Sequence, residues 1–248
     1  MTRDPVWVIL PTYDEAENVA QMLDALRAVF DASGMDGHVL VVDDGSPDGT
    51  ADLADGVAAR DPRVRVLRRA RKDGIGPAYR AGFRYALDHG AARVVEMDCD
   101  FSHDPARLPA LVAATDDADL ALGSRYVPGG GVVRWGPLRR AISRGGCWYA
   151  RTVLRVPVRD LTGGFKCFRR EVLDAIPLER VSAAGYGFQI EMTYRALRLG
   201  FRVVEVPITF SERERGSSKM SHGIVWEAAS LVPRLPGRLR REGPAPTR

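Results

Sequence analysis

The first hundred residues contain four short, predominantly apolar runs, and a segment with helical spacing separates each run from the next. The runs cover residues 6–10, 38–42, 64–67 and 94–97. Apolar runs of this length are typical of parallel strands that are covered on both faces. Strands that alternate with helices form parallel sheets with right-handed connections. The sequence therefore predicts an α/β protein with a mostly parallel sheet flanked by helices.

The fourth apolar run ends in two carboxylates, Asp98 and Asp100, which Cys99 separates. If the strand continues through them, both carboxylates lie on one face, since side chains alternate along a strand. Neighbouring carboxylates raise each other's pKa unless a cation neutralises them. Mg²⁺ or Mn²⁺, shared with a substrate diphosphate, suits such a pair. The alternative is that the two residues only cap and solubilise the loop.

Polar residues also follow the first two apolar runs. Tyr13 and several acids occupy residues 11–18, and two further acids begin the turn at 43–50. The carboxyl ends of parallel strands form the edge at which open α/β sheets bind ligands. Thr12 and Glu15 also have the spacing of a capping box for the first helix. Either segment alone could be an ordinary polar loop, but their coincidence at one edge favours a binding site.

Two later loops carry cations that suit a phosphate ligand. Residues 68–76 combine four cations with two glycines, which permit close backbone approach. Their spacing is not the Gly-x-Gly-x-x-Gly pattern of nicotinamide-binding proteins. Residues 210–219 form a similar loop of cations, hydroxyls and a glycine, although a plain flexible loop would look alike. Between them, a predicted strand at 119–122 brings Arg125 to the same sheet edge.

Residues 135–154 have the spacing of a basic amphipathic helix. Arg139 and Ser143 are four residues apart and share a face, as do Arg140 and Arg144. A basic face edged with aromatic residues suits the interfacial layer of a bilayer, or a phosphate ligand that lies there. A plain solvated face is an equally good interpretation of these charges.

The C-terminal half constrains the fold less. Asp160 lies in a glycine-hinged turn, where it could cap the turn or meet a sugar hydroxyl. Helical spacing near the C-terminus is interrupted by Pro233 and Pro236. We expect one domain over residues 1–232, followed by a basic, flexible tail over residues 233–248.

Charge, cysteine content and hydropathy exclude several classes of protein. The formal charge of +4 is mild and no long basic run is present, so nucleic acid is not an expected partner. The three cysteines are far apart, which argues against a zinc site or a disulfide framework. Neither a signal peptide nor an apolar run of roughly 18–20 residues is evident. We therefore expect a cytoplasmic protein that at most lies on a membrane.

Three motifs at the predicted strand ends resemble those of inverting family 2 glycosyltransferases, which have the GT-A fold. They are Leu-Pro-Thr-Tyr-Asp-Glu at 10–15, Val-Asp-Asp-Gly-Ser-Pro-Asp-Gly-Thr at 42–50 and Met-Asp-Cys-Asp-Phe-Ser-His at 97–103. Other motifs resemble the polyprenol (dolichol) monophosphate mannose synthases within that family: Gly-Ser-Arg-Tyr at 123–126, Ile-Ser-Arg-Gly at 142–145, Asp-Leu-Thr-Gly-Gly-Phe at 160–165, Gly-Tyr-Gly-Phe-Gln-Ile-Glu-Met at 185–192 and the loop at 213–219. The resemblance covers about residues 5–232 and implies mannose transfer from GDP-mannose to a polyprenyl phosphate.

The resemblance also implies a donor site and a metal site within a GT-A catalytic domain. The expected donor-binding residues are Pro11, Tyr13, Glu15, Val42, Asp44, Gly76, Asp98, Cys99, Asp100, Arg213 and Lys219. Among these, Asp98 and Asp100 would hold Mg²⁺ or Mn²⁺ on the diphosphate. Some relatives have glutamine where this chain has Ser102, so the resemblance assigns no metal ligand to that position.

For the acceptor, the resemblance implies that Arg125, Arg139 and Ser143 bind the lipid phosphate. Asp100, Arg125 and Arg213 would be the catalytic residues. The helix at about 135–154 would lie at the membrane interface. The protein would then work at the cytoplasmic face of a membrane, through peripheral contact or a membrane-protein partner.

The expected chemistry needs no strong base. A phosphate monoester is already an anion near neutral pH, because its second pKa is about 6. It can attack the anomeric carbon in line, which predicts inversion and a β-linked product. His103 is then expected to be a hydrogen-bonding group of the loop. The alternatives are a glucosyltransferase that uses UDP-glucose on the same lipid phosphate, and a non-catalytic module that binds anions or membranes.

Overall fold

The centre of the protein is a seven-stranded sheet, seen in a computed structural model that describes residues 4–183, 185–212 and 230–242. Its strands are β1 Val6–Thr12, β2 Gly37–Asp43, β3 Val64–Arg68, β4 Arg93–Glu96, β5 Leu120–Ser124, β7 Lys166–Arg169 and β8 Val203–Pro207. Two shorter strands, β6 Gly131–Val132 and β9 Thr209–Phe210, pair with each other in parallel.

The strand order across the sheet is β3-β2-β1-β4-β7-β5-β8. Strand β7 is antiparallel to both of its neighbours, whereas the other pairs are parallel. The carboxyl ends of β1, β2, β4 and β5 therefore meet at one edge. This arrangement confirms the predicted α/β fold class with its mostly parallel sheet.

Helices cover both faces of the sheet. They are α1 Val19–Ser33, α2 Thr50–Ala58, α3 Ile75–Asp88, α4 Leu108–Ala113, α5 Pro137–Leu154, α6 Arg170–Ala175, α7 Tyr186–Arg198 and α8 Leu235–Glu242. One hydrophobic core lies between the sheet and α1, α2 and α4, and another lies between the sheet and α3, α6 and α7. A third core joins α5 to α7 and α8.

Helix α3 packs very closely on the centre of the sheet. A Cβ atom added at Gly82 would lie 2.4 Å from the Cγ2 atom of Ile9 in β1, so a side chain there would push the helix away. Tyr79 and Phe83 on the same helix are fully buried, as their spacing predicts. This close approach brings the loop that precedes α3 to the edge formed by the carboxyl ends of the parallel strands.

Two local predictions near that edge are wrong. Helix α1 begins only at Val19, and Thr12 remains in β1, where its hydroxyl donates to the Asp43 carboxylate at 3.0 Å. Thr12 and Glu15 therefore form no capping box. Strand β4 ends at Glu96, before the two carboxylates that were expected to extend it. The first difference arises because the Thr12 side chain bonds across the edge to the end of β2.

The C-terminal segment also differs from the flexible tail that was expected from residue 233. Leu235–Glu242 form α8, and Leu235 is fully buried in the third core. Arg195 of α7 pairs with Glu242 at 2.7 Å. One apolar anchor and an ion pair thus hold a segment whose composition alone suggests flexibility.

Candidate active site

The carboxyl ends of β1, β2 and β4 enclose a cleft of about 580 Å³, a volume that includes its open mouth. The lining residues are Pro11, Thr12, Tyr13, Glu15, Asp44, Lys72, Gly74, Ile75, Ala78, Asp98, Cys99 and Asp100. Seven of the expected donor-binding residues are among them. The polar strand-end motifs of the sequence thus lie around this one cleft.

Two of the expected donor-binding residues that the structure describes are not on this lining. The side chain of Val42 is fully buried among the apolar residues beneath α3. Gly76 is buried as well, and a Cβ atom there would lie 2.3 Å from the carbonyl oxygen of Ala183. Glycine at position 76 is thus explained by helix packing. Arg213 and Lys219 lie outside the described residues.

A tight turn, and not strand alternation, presents the two carboxylates to the cleft. The backbone N–H of Ser102 donates to Asp100 at 3.0 Å, and Phe101 between them has a left-handed φ of 59°. Asp100 is buried, whereas the side chain of Asp98 is 29% exposed. The backbone N–H of Asp98 donates to Nδ1 of His103 at 3.3 Å. The turn therefore fixes Asp100 rigidly and leaves Asp98 facing the open cleft.

These two carboxylates fit a hard divalent cation that is shared with a substrate. No group of three or more histidine, cysteine, aspartate or glutamate residues that could hold a metal occurs in the part of the chain that the structure describes. A metal such as Mg²⁺ usually takes one or two protein carboxylates and completes its shell with water and substrate phosphate. The buried hydroxyl of Ser102 has no hydrogen-bond partner within the described ranges. The donor set matches a substrate-bridging ion better than a closed protein cage.

The end of β2 is organised by two adjacent acids with different tasks. Asp43 accepts hydrogen bonds from the hydroxyls of Thr12 and Ser46 and so holds the turn that follows β2. Asp44 lines the cleft and pairs with Arg69 at 2.6 Å. Burial raises the pKa of Asp44, and the Arg69 guanidinium opposes that rise. Asp44 is thus a fixed acceptor at the end of the cleft, with its orientation set by Arg69.

A second polar cluster lies beside the cleft, at the end of β5. Arg125 makes a bidentate pair with Asp160, at 2.7 Å from Nε and 2.6 Å from Nη2, and Nη2 also donates to Thr162 at 2.8 Å. Burial alone would raise the pKa of Asp160, but the Arg125 charge and hydrogen bonds hold it below its usual value. The role that the sequence left open for Asp160 is therefore, in this structure, to hold Arg125.

Aromatic rings connect Arg125 to the other expected acceptor residues. The Trp135 ring lies 5.6 Å from the Arg125 guanidinium and 4.3 Å from that of Arg139. Arg139 also pairs with Glu212 at 2.8 Å. Next to them, the hydroxyl of Tyr126 donates to Ser143 at 2.6 Å. The structure thus brings Arg125, Arg139 and Ser143 into one cluster.

The sequence did not reveal several buried titratable side chains that lie beneath the cleft and the Arg125 cluster. Lys166 of β7 is fully buried and donates to the Gln189 side chain at 2.6 Å. Burial lowers the pKa of Lys166 to about 8, although the negative charge of Glu96 opposes this shift. Burial also raises the pKa of Glu96 to about 7, and here the positive charge of Lys166 opposes the shift. Burial also lowers the pKa of His103 to about 4, so its ring is neutral near pH 7.

Local sequence carried little signal for these additional residues. Trp135 reaches Arg125 because β6 pairs with β9, which places the Phe210 ring 5.4 Å from the tryptophan. Lys166 meets Glu96 because β7 is antiparallel to β4 and puts the two in register. Only the position of a lysine next to the apolar residues Phe165 and Cys167 could have indicated that position 166 is unusual.

Helix α5 presents an apolar stripe to solvent. Leu138 is 73% exposed, Trp148 is 68% exposed and Ile142 is also exposed. Arg140 and Arg144 are exposed on the same helix. None of the helices within residues 4–183, 185–212 and 230–242 has the length and apolar character that crossing a bilayer requires.

Comparison with known proteins gives concordant results. Residues 7–176 match the family model described as "Glycosyl transferase family 2". An undecaprenyl-phosphate mannosyltransferase of Micrococcus luteus is 51% identical over 238 residues, which cover 96% of each chain. A polyprenol monophosphomannose synthase of Mycolicibacterium smegmatis is 49% identical, over 94% of this chain and 88% of its own.

Solved structures agree at the level of the fold. Glucosyl-3-phosphoglycerate synthase from Mycobacterium tuberculosis, in complex with phosphoglyceric acid, superposes with a TM-score of 0.70 at 20% identity, over 94% of this chain and 80% of its own. The same enzyme with Mn²⁺, UDP-glucose and phosphoglyceric acid gives a TM-score of 0.69 at 21% identity, with the same coverage. This likeness concerns the GT-A architecture alone.

Proposed function

The chain belongs to glycosyl transferase family 2, and on that premise we propose that it transfers mannose from GDP-mannose to a polyprenyl phosphate. The products are a polyprenyl phosphate β-mannose and GDP. The observation that carries this proposal is that a carboxylate-lined cleft and a cluster of arginines lie at one sheet edge. The carboxylates Asp98 and Asp100 lie on one side, and the arginines Arg125 and Arg139 lie on the other. The names of the two relatives support the sugar and the class of acceptor.

The donor occupies the cleft in this proposal. Its base and ribose lie near Tyr13, Glu15 and Asp44, and its diphosphate lies near Asp98 and Asp100. The remaining donor contacts are assigned to Pro11, Cys99, the backbone around Val42 and Gly76, and Arg213 and Lys219. A structural neighbour that contains Mn²⁺ together with a sugar nucleotide supports metal dependence for this fold.

Asp98 and Asp100 would hold Mg²⁺ or Mn²⁺, which would supply positive charge to the leaving diphosphate. The turn that fixes Asp100 holds its carboxylate in place before the substrate arrives, so little reorganisation is needed during the reaction. Asp98, which is more exposed, can adjust to the ligand. Arg213 is assigned to the same diphosphate as a further cation.

The acceptor phosphate meets the arginine cluster in this proposal. Arg139 and Ser143 are half-buried and contact it, while Arg125 faces it from its fixed position on Asp160. The exposed stripe on α5 rests on the membrane surface at its cytoplasmic face, since Leu138 and Trp148 suit the acyl boundary and flanking arginines suit anionic headgroups. A polyprenyl chain then remains in the lipid while its phosphate reaches the site.

The chemical step is an in-line displacement. A phosphate oxygen of the acceptor attacks the anomeric carbon, the bond to the GDP oxygen breaks, and the configuration inverts. No general base is required because the nucleophile is already anionic. The protein mainly positions two anions and stabilises the charge that develops on GDP. Asp160 is engaged with Arg125 and the His103 ring is buried, which agrees with a mechanism that lacks a protein base.

A transfer assay tests the proposal. The purified chain is incubated with Mg²⁺ or Mn²⁺, a polyprenyl phosphate and either labelled GDP-mannose or labelled UDP-glucose, with and without membranes. We expect mannose to enter the lipid fraction in a reaction that EDTA abolishes, and the product to be β-linked. Glucose transfer would show that the donor is UDP-glucose and not GDP-mannose. Retention of configuration would contradict the proposed in-line displacement. Transfer from neither donor, even with membranes present, would refute the proposal.

A further inference from the structure

The loop between β3 and α3 places one lysine in the donor cleft. Lys72 is exposed to solvent, and its ammonium group lies 3.8 Å from the centre of the Tyr13 ring. Both residues line the cleft. Among its described lining residues Lys72 is the one cation, and the lining acids are Glu15, Asp44, Asp98 and Asp100.

The neighbouring arginines of this loop are already paired with carboxylates. Arg69 pairs with Asp44 at 2.6 Å, and Arg71 pairs with Asp73 at 2.9 Å. No such pair occurs for Lys72 within the part of the chain that the structure describes. Its ammonium group therefore lies on an aromatic face while carboxylates line the same cleft. A cation over a ring at an exposed site is held more weakly than a cation hydrogen-bonded to a phosphate.

Lys72 also covers a ring face on which a nucleotide base can stack. Bases stack on aromatic faces at van der Waals distance, and such stacking contributes substantially to binding. Tyr13 is half-buried at the end of β1, with one ring face under the lysine. An ammonium group 3.8 Å from the ring centre and a stacked base cannot share that face. A base that stacks there must displace the lysine.

We propose that Lys72 changes partner when the donor binds: its ammonium group leaves the Tyr13 ring and hydrogen-bonds a donor phosphate, and the base takes the ring face. Lys72 is thus a donor-binding residue in addition to those assigned above. This inference rests on the proposed function in one respect: the proposed function places the nucleotide in this cleft. Because Lys72 is exposed and follows a β-strand in a glycine-containing loop, the movement needs only side-chain rotation and small loop adjustment.

The proposal predicts that removal of the Lys72 ammonium group affects two ligands differently. Removing the ammonium group takes a cation away from the phosphate, which weakens nucleotide binding. It also releases the Tyr13 face, so a nucleoside without phosphate should bind as well as before or better. A residue that merely supports the loop would weaken both ligands together.

Equilibrium dialysis with the full chain measures this difference. The ligands are guanosine, GMP and GDP, each with and without Mg²⁺, and the variants are Lys72→Ala and Lys72→Arg. We expect Lys72→Ala to weaken GDP binding about tenfold, as for a lost charge-assisted hydrogen bond, while guanosine binding stays equal or becomes about twofold tighter. Lys72→Arg should keep most of the GDP affinity. Arg71→Ala is the matched control, because Arg71 is adjacent, exposed and absent from the cleft lining.

Equal losses for guanosine and GDP, or an unchanged GDP affinity in Lys72→Ala, would overturn the inference. The unmodified protein reports separately on the proposed function. If it binds uridine and UDP in preference to the guanosine series, the donor assignment fails, and the same comparison with uridine and UDP still decides the role of Lys72. If it binds no nucleotide of either series, both proposals are refuted.

Discussion

The two halves of the candidate site are built from different side chains, although they lie at the same edge of one sheet. The donor cleft is lined by four carboxylates and one lysine in the described structure. On the acceptor side, Arg125 and Arg139 lie against the Trp135 ring and are paired with Asp160 and Glu212. Both proposed substrates are anions, so the carboxylate-lined donor half needs an added cation, whereas the acceptor half has arginine side chains that can contact an anion directly. Metal dependence should therefore be a property of the donor half alone.

The largest effect is expected from removing a carboxylate of the donor half. Asp100→Ala should lower the rate of mannosyl transfer on the order of 10³-fold, since charge stabilisation at a metal centre is worth several kcal/mol. The rate is measured with saturating lipid acceptor and increasing Mg²⁺ or Mn²⁺. Polyprenyl phosphate binding should be unaffected if the two halves are independent.

Asp104→Ala is the matched control for that experiment. Asp104 is an exposed carboxylate four residues further along, and it accepts a hydrogen bond from the backbone N–H of Ala106. Its loss should cost about 1 kcal/mol of stability at most and leave transfer nearly unchanged. A comparable loss of activity in both variants would mean that loop geometry, not the Asp100 carboxylate, limits the reaction.

Within the acceptor half, Arg125 and Arg139 should behave differently. Arg125→Ala leaves Asp160 as an unpaired buried charge and should lower the free energy of unfolding by about 3–5 kcal/mol. Arg139 pairs with Glu212 at a partly exposed position, so Arg139→Ala should cost about 1 kcal/mol or less. Urea unfolding of the two variants measures this contrast.

The same two variants distinguish a structural role from a role in acceptor binding. Arg139→Ala should raise KM for polyprenyl phosphate with little change in KM for GDP-mannose. If Arg125→Ala proved as stable as the unaltered protein, the ion pair with Asp160 would not be the structural anchor described above. Unchanged acceptor KM in Arg139→Ala would remove Arg139 from the acceptor site.

The exposed stripe of α5 should show a smaller effect, on membrane association. Leu138→Glu and Trp148→Ala should each weaken binding to vesicles with anionic lipids about tenfold, because each removes apolar area worth at least about 1.4 kcal/mol on burial. Cosedimentation with vesicles measures the change. Leu53→Glu is the control, since Leu53 is 45% exposed on α2, away from this stripe. Equal losses in all three variants would argue against α5 as the contact surface.

The smallest expected effect is a pH dependence of stability. The pKa of Asp160 in the folded protein lies below its ordinary value of 3.8. The pair with Arg125 therefore stabilises the protein above about pH 4, and this contribution is lost as the pH falls through the folded-state pKa. The difference in unfolding free energy between the unaltered protein and Asp160→Asn should be constant near neutral pH and shrink below pH 4. A difference that stays constant down to pH 3 would contradict this assignment.

The donor half was the part that the sequence could predict well. Strand ends are contiguous in sequence, so the apolar run before Asp98 and the acids after the first two strands identified the edge and the cleft. The exception to these predictions was a hydrogen bond across that edge between residues that are distant in sequence. Thr12 bonds to Asp43, which is distant in sequence, so the capping-box pattern was misleading.

The acceptor half depended far more on tertiary structure. Asp160 acts on Arg125 from 35 positions away, and no local pattern distinguishes that contact from a turn cap. Trp135 joins the two arginines only because β6 and β9 pair, and α8 is ordered by contacts with α7.

By itself, the sequence determined the fold class, the ligand-binding edge and the family, because apolar periodicity and strand-end motifs are properties of contiguous segments. The tertiary structure decided which charges are paired, which glycines serve packing and which lysine lies on Tyr13. Those features depend on burial and on distances between segments that are remote in the chain. Burial sets the pKa of each buried group and the energetic value of each ion pair, and it exists only once the segments have packed together.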